Sequence, residues 1–232
     1  MTGIGFHMLP NEIILQIGSN SDDSSLLSLL LCSSALSALL LPVLHTRAFA
    51  PRHGRPAIQW AAAHGHITLV NLLLVNGVHP DTGATDTQPP ALLEAVRESN
   101  SAIVQLLIAH GANVNRLNYD HNYGYETVAY SAAAKGDAGI VRQLAAHGAD
   151  VDSEKDFGMY TGTPLHEAVR NGHVAVVKAL LDLSVRVNEE DSNCETPLEI
   201  AERLARTGCT IQGQRASMAA MVELLVKACA HV

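Results

Sequence analysis

The sequence predicts an all-α protein built from about five stacked helix-turn-helix units. Apolar residues make up 47% of the 232 residues, whereas aromatic residues make up only 4%. The Ala and Leu residues that dominate the apolar set are strong helix formers. A segment of related sequence also recurs along most of the chain. Within each copy, the apolar residues follow the spacing of two short amphipathic helices.

The copies begin at Pro56, Pro90, Thr127, Thr163 and Thr196, so that successive starts lie 34, 37, 36 and 33 residues apart. The clearest copy, residues 163–188, reads TPLHEAVRNGHVAVVKALLDLSVRVN. It resembles the ankyrin repeat, whose period is about 33 residues. The resemblance implies a solenoid, because one unit cannot bury both of its apolar stripes and must stack on its neighbours. We therefore predict an ankyrin-repeat domain over residues 51–232.

The clearest copy also shows how each helix of a unit is specified. Leu165, Ala168 and Val169 share one face of the first predicted helix. The second predicted helix carries its own apolar stripe, formed by Val176, Val177, Leu180 and Leu181. Glycine separates the two helices, since it adopts the left-handed conformation that ends a helix without penalty.

The segment before the repeats, residues 9–47, reads LPNEIILQIGSNSDDSSLLSLLLCSSALSALLLPVLHTR. It resembles an F-box, with an L-P-x-E-I start, a polar loop, two helices and a P-x-L ending. The resemblance implies a small helical segment within residues 1–50 that docks on the adaptor of a cullin-RING (SCF-type) ubiquitin ligase. The residues it assigns to adaptor binding are Leu9, Pro10, Ile13, Ile14 and Ile17.

Two other interpretations of this segment stay open. Residues 26–44 carry no charge and are long enough to cross a membrane. However, six of the nineteen are Ser, Cys or Pro, and no Trp or Tyr marks an interface, so we expect no membrane contact. Alternatively, the helices only cap the first repeat. The stretch SSALSALLL favours this alternative, because F-boxes usually carry basic residues at that place.

Composition narrows the class of partner. The net charge of −8 argues against nucleic acid, which would require a basic face. Four cysteines without a C-x-x-C pair, and the lack of an N-x-S/T sequon, fit a cytoplasmic or nuclear protein. No catalytic, phosphate-binding or zinc-binding motif occurs in the sequence. We therefore expect a protein partner, without a cofactor or metal, and we expect that the chain is not an enzyme.

The segments that join one unit to the next, here called fingers, carry most of the aromatic residues. In the ankyrin family, fingers and first helices line a concave groove, and large aromatic side chains are favoured at binding hot spots. The residues predicted to form a partner-binding groove are Trp60, Tyr119, Tyr123, Tyr125, Tyr130, Asp156, Phe157 and Tyr160. The alternative is that the tyrosines pack on one another and only stabilise long fingers.

Segments 79–90, 112–127, 150–162 and 186–196, which contain the fingers, each carry a net negative charge. Such a rim would steer a cationic partner towards the groove, unless it is only a solvated edge. The leading hypothesis is therefore a ligase substrate receptor, and the first alternative is a plain ankyrin scaffold. A second alternative is an enzyme or small-molecule binder, whose pocket would use Tyr123, Tyr125, Tyr130, Asp156, Tyr160 and His166.

Overall fold

The computed structural model describes residues 56–85, 88–120, 124–153, 162–207 and 214–230. The predicted F-box segment lies outside these described residues. The adaptor-binding prediction for Leu9, Pro10, Ile13, Ile14 and Ile17 therefore stays a prediction.

The described residues form ten α-helices in five consecutive pairs. The first helices of the pairs are α1 (Ala57–Ala63), α3 (Ala91–Arg97), α5 (Val128–Lys135), α7 (Pro164–Arg170) and α9 (Pro197–Thr207). The second helices are α2 (Ile67–Val75), α4 (Ser101–Ala109), α6 (Ala138–Ala146), α8 (Val174–Asp182) and α10 (Gln214–Cys229). The prediction of an all-α repeat solenoid is confirmed.

The helices stack in two layers. Each first helix contacts the first helix of the next unit, and each second helix contacts the second helix of the next unit. One continuous apolar core runs between the layers from Ile58 in α1 to Leu225 in α10. The predicted stripe residues Leu165, Val176 and Leu180 lie in that core and are fully buried. Burial is therefore shared between units, as expected of a solenoid.

Local sequence sets several of the helix boundaries. The Thr127 hydroxyl accepts the backbone N–H of Tyr130 (3.1 Å) at the start of α5. Asn100 and Asp137 cap α4 and α6 in the same way, through the N–H groups of the third helical residues. These side chains satisfy amide groups that the first turn of a helix leaves without a partner. In α7, Pro164 occupies the first helical position, where its missing N–H costs nothing.

One element departs from the all-α prediction. Residues Asn118–Asp120 (β1) and Gly124–Glu126 (β2) of the second finger form an antiparallel hairpin. Asn118 pairs with Glu126, and Tyr119 pairs with Tyr125. Tyrosine fits a pleated surface well, and a short connection lets the two strands meet. The finger is therefore an ordered ribbon with two distinct faces.

Asparagine and aspartate side chains tie each finger to the next. The Asp81 carboxylate accepts the backbone N–H of Asn113 (3.1 Å). One unit further on, the Asn115 amide donates to the Gly148 carbonyl (2.9 Å) and accepts from the backbone N–H of Asp150 (2.8 Å). We call these contacts the Asx ladder. The ladder fixes the register of neighbouring units without using the apolar core.

The ladder continues to the fourth unit, where Asp152 accepts the backbone N–H of Arg186 (2.9 Å). Among the described residues, none of the helices is long and apolar enough to cross a membrane.

Candidate functional site

A row of ion pairs joins first helices of the solenoid to the fingers. Arg97 of α3 contacts Glu126 at 2.6 Å. Arg170 of α7 contacts Asp191, and Arg203 of α9 contacts Glu195 at 2.7 Å. Each arginine stands seven residues after the start of its unit. Three of the five first helices, α3, α7 and α9, therefore carry an arginine at one fixed position, whereas α1 and α5 have Ala63 and Ala134 there.

Sequence reasoning missed these arginines, although the signal was present. Aligning the units at Pro90, Thr163 and Thr196 places the three arginines in one column. A basic residue that recurs at one repeat position, together with carboxylates in the fingers, predicts ion pairs between the first helices and the fingers.

Glu126 is held from two sides. Arg97 forms the ion pair, and the Ser131 hydroxyl donates a hydrogen bond to the other carboxylate oxygen. The side chains of Glu126 and Arg97 are both largely removed from water. A half-buried, doubly bonded carboxylate is a fixed part of the structure, because breaking such a pair leaves an uncompensated charge.

Tyr130 links two units across the groove. Its hydroxyl donates to the Glu167 carboxylate at 2.7 Å. Arg170 lies 3.7 Å from the same carboxylate oxygen, and Asn171 donates to the other oxygen at 2.8 Å. Burial and the negative charge of Glu167 raise the pKa of Tyr130 far above its usual value. Tyr130 is therefore a protonated hydrogen-bond donor at neutral pH.

Asp191 anchors the far end of this network. Burial acts to raise its pKa, but backbone N–H groups of Glu195 and Asn193 and the charge of Arg170 outweigh burial and lower the pKa. Its second oxygen accepts those two N–H groups at 3.0 and 2.8 Å. The ionised carboxylate thus shapes the turn between α8 and α9. The turn includes Cys194, whose φ of 55° is unusual for a residue with a side chain.

His166 is fully buried, and both of its ring nitrogens are engaged. Nδ1 accepts the backbone N–H of Thr163 (3.1 Å), and Nε2 donates to the Glu195 carbonyl (3.2 Å). Burial, followed by the nearby Arg170 charge, lowers the pKa of this imidazole. A neutral, fully bonded His166 braces its own turn and the next one. Of the residues that the enzyme alternative would use, Tyr123, Asp156 and Tyr160 lie outside the described residues, so that alternative stays a prediction.

The first unit contributes an aromatic cluster. Trp60 is half-buried in α1, and its indole stacks on His64 (4.5 Å between ring centroids) and on His66 (5.1 Å). Nδ1 of the exposed His64 also bonds to the Trp60 carbonyl at 2.8 Å. Trp60 is therefore held by its neighbours and still offers part of its surface to a partner.

Two tyrosines of the second finger lie on one face of the hairpin. The rings of Tyr119 and Tyr125 pack edge to face at 5.1 Å on one side of the hairpin. Glu126, on the opposite side of the same strand, is the residue that reaches the first helices. Because side chains alternate across a strand, these two rings lie on the face of the hairpin opposite Glu126. Their role in binding a partner stays a prediction.

The remaining predicted groove residues, Tyr123, Asp156, Phe157 and Tyr160, lie outside the described residues. The structure therefore brings together Trp60 with its histidines at one end, and Tyr130 with the ion-paired row further along. Among the described residues, no group of three or more His, Cys, Asp or Glu side chains could hold a metal ion.

The acidic fingers are more neutralised than the sequence suggested. Glu126, Asp191 and Glu195 belong to the row of ion pairs. Arg186 pairs with Glu189 at 2.8 Å and lies 3.9 Å from Asp152. Much of the finger charge is therefore met within the protein, which leaves less of it to steer a cationic partner.

The repeated helix pairs, the finger connections and the row of ion pairs together define a repeat solenoid that acts as a protein-interaction module. The family model for ankyrin repeats, in three copies, matches residues 15–118, 58–155, 92–191 and 129–211. The chain belongs to the ankyrin-repeat family.

Three relatives show how widely this module is used. The chain is 34% identical over 129 residues to "Ankyrin repeat and KH domain-containing protein mask-1" of Caenorhabditis elegans, covering 54% of this chain and 5% of the relative. It is 31% identical over 170 residues to "Probable E3 ubiquitin-protein ligase XBOS32" of Oryza sativa subsp. japonica, covering 62% and 34%.

The third relative is the "Transient receptor potential cation channel subfamily A member 1 homolog" of Caenorhabditis elegans. The two sequences are 36% identical over 99 residues, which cover 43% of this chain and 8% of the relative. The chain thus spans about a third or less of the length of these relatives.

Proposed function

We propose that this protein is a substrate receptor of a cullin-RING ubiquitin ligase. Residues 9–45 dock on the ligase adaptor, and the concave side of the ankyrin domain binds the protein to be modified. The observation that carries the proposal is the L-P-N-E-I module at residues 9–13, followed by an ankyrin array in the same chain. The ligase name of the Oryza sativa relative supports it.

The adaptor half is tested with the full chain and purified adaptor in a pull-down. We expect binding, and we expect Leu9→Ala/Pro10→Ala to abolish it. A matched control is Tyr125→Ala, which alters the second finger and should bind adaptor like the wild type. A folded wild-type chain, shown by a cooperative thermal transition, that captures no adaptor would rule out the ligase role.

The groove is proposed to hold its partner between the Trp60 cluster and the paired arginines. His64 directly follows α1, and Lys135 is the last residue of α5. Both are exposed, and we expect the partner to cover them. The partner is identified by affinity purification and mass spectrometry. We expect His64→Ala/Lys135→Glu to reduce recovery of that partner, without changing adaptor binding. Equal recovery by this variant would place the partner elsewhere.

The plain scaffold is the second candidate, and one observation favours it. The first family match begins at residue 15, inside the segment that resembles an F-box. If that segment only caps the first unit, Ile13→Glu should lower the melting temperature of the array. If the segment is a receptor module, Ile13→Glu should abolish adaptor binding and leave the melting temperature unchanged. The two readouts therefore separate the candidates.

A further inference from the structure

The hairpin of the second finger has an inverted distribution of polar and apolar side chains. Its inner face carries Asn118, only 2% exposed, and the ion-paired Glu126. Its outer face carries Leu117 and Tyr125, which are 51% and 47% exposed, with Tyr119 between them. A hairpin packed on a core normally places its apolar face inwards. Here the buried face is the polar one, and the apolar face meets water.

Contacts of the inner face hold the hairpin with its polar face inwards. Arg97 and Ser131 both bind Glu126, which is the residue directly opposite Asn118. Turning the hairpin over would break these contacts and expose Glu126 in their place. The polar contacts therefore hold the apolar face outwards, and the packed rings of Tyr119 and Tyr125 give it a defined shape. Rigid tyrosine rings suit a binding surface, since little side-chain entropy is lost on contact.

We propose that the outer hairpin face, formed by Leu117, Tyr119 and Tyr125, is a docking surface for a short basic-apolar segment of a partner protein. It is distinct from the row of ion pairs, because the two lie on opposite sides of the hairpin. The segment carries one or two large aliphatic residues flanked by Lys or Arg.

The size of the surface selects a short segment as its occupant. Leu117 and Tyr125 are about half exposed and Tyr119 is less exposed, so the three side chains offer about 200 Å², given that a fully buried aromatic residue covers roughly 150–250 Å². A stable complex between two folded proteins buries about 800 Å² on each side. The face is therefore too small to hold a second copy of this chain by itself, whereas a few side chains of a peptide would cover it.

The charge near this face favours Lys or Arg residues on both sides of the aliphatic residues of the bound segment. The exposed Asp150 lies beside this finger, because its backbone N–H is held by Asn115, two residues before Leu117. The basic residue of the finger, Arg116, is half-buried and donates to the Ala84 carbonyl at 2.8 Å. The exposed Asp150 thus places one negative charge beside this finger, in a chain whose net charge is −8. Lys or Arg side chains also interact favourably with the faces of tyrosine rings.

The test uses the full chain and three fluorescein-labelled hexapeptides, KRLLRK, EDLLDE and KRGGRK, in anisotropy titrations. We expect KRLLRK to bind at least tenfold more tightly than either of the other two. Leu117→Ser/Tyr125→Ser should weaken KRLLRK at least tenfold. The control Val75→Ser/Val226→Ser removes two exposed apolar residues elsewhere on the surface and should leave the affinity within twofold.

Several outcomes would overturn the proposal. These are no binding of KRLLRK, equal binding of KRGGRK or EDLLDE, or equal losses in the test and control variants. Sedimentation of the wild type gives a further check. A dimer that Leu117→Ser/Tyr125→Ser dissociates would assign the face to a second copy of the chain. None of these measurements depends on adaptor binding, so the ligase proposal stands or falls separately.

Discussion

At Gly136, the backbone conformation and a neighbouring ring both exclude a side chain. Its φ is +84°, and a Cβ atom there would lie 2.6 Å from Nδ1 of His173. His173 in turn contacts the Ala134 carbonyl through Nε2 at 3.0 Å. The glycine therefore ends α5 and also makes room for the ring that joins α5 to the next unit.

We expect Gly136→Ala to destabilise the protein clearly more than Gly148→Ala. Both positions have a left-handed backbone, which costs a residue with a Cβ about 1–2 kcal/mol. At Gly148, where φ is +82°, nothing lies within 4 Å of the added atom. The difference between the two variants in urea unfolding measures the clash with His173. Equal free energies of unfolding would show that the ring moves aside without cost.

His166 makes stability depend on pH. Its pKa is lowered in the folded protein by burial, whereas the unfolded chain has the ordinary value of about 6.5. Below that value the unfolded state takes up the proton first, so the free energy of unfolding falls as the pH decreases from about 6.5. Above it, both states are neutral and the full contribution is present.

The measurement is the free energy of unfolding of wild type and His166→Gln between pH 7.5 and 5. We expect the variant to be less stable at pH 7.5 and to lose less stability on acidification. Parallel curves for the two proteins would contradict the assignment of this pH dependence to His166.

At the scale of elements, Tyr130 joins α5 to α7. Removing its hydroxyl takes away a hydrogen bond to a charged group, worth about 1.5–3 kcal/mol. We expect Tyr130→Phe to lower the free energy of unfolding by that order. Tyr125→Phe is the matched control and should change stability by less than about 0.5 kcal/mol, because the ring is exposed on the hairpin. Equal effects of the two variants would disprove the role of the Tyr130–Glu167 bond.

The groove pairs also differ from surface pairs in strength. Arg97→Ala removes the cation facing the half-buried Glu126, and we expect a loss of about 1–3 kcal/mol. Arg206 is 75% exposed and lies 3.9 Å from Glu202, so Arg206→Ala should cost about 0.5 kcal/mol or less. Thermal unfolding of both variants at low and high salt measures this contrast. Similar losses would mean that the groove pair is as solvated as a surface pair.

Across the whole molecule, stability depends on contacts between neighbouring units. Asn115→Ala breaks two hydrogen bonds of the Asx ladder, and we expect it to cost about 1–3 kcal/mol. Asn76→Ala removes a bond within a single unit, to the Leu72 carbonyl, and should cost less. Hydrogen exchange provides a second readout, since amides around Gly148 and Asp150 should exchange faster only in Asn115→Ala. Unchanged exchange there would contradict the role of the ladder in register.

By itself, the sequence determined the units, the helix pairs and the apolar stripes. These features follow from local periodicity and from capping residues such as Thr127 and Thr163, so they are readable within one repeat. Only the tertiary structure decided which side chains of the first helices and fingers contact one another. The contacts of Arg97 with Glu126 and of Tyr130 with Glu167 span 29 and 37 residues, and no local pattern specifies which acid meets which partner.

The direction of the tyrosines was likewise beyond the sequence. Shifting a strand by one residue exchanges its two faces, and nothing in RLNYDHNYGYET sets the hairpin register. The contacts of Glu126 with Arg97 and Ser131 hold one face of the hairpin inwards. Those contacts lie between elements, and they turn Tyr119 and Tyr125 outwards. The repeat pattern thus fixed what the chain builds, and packing between units fixed which surfaces it presents.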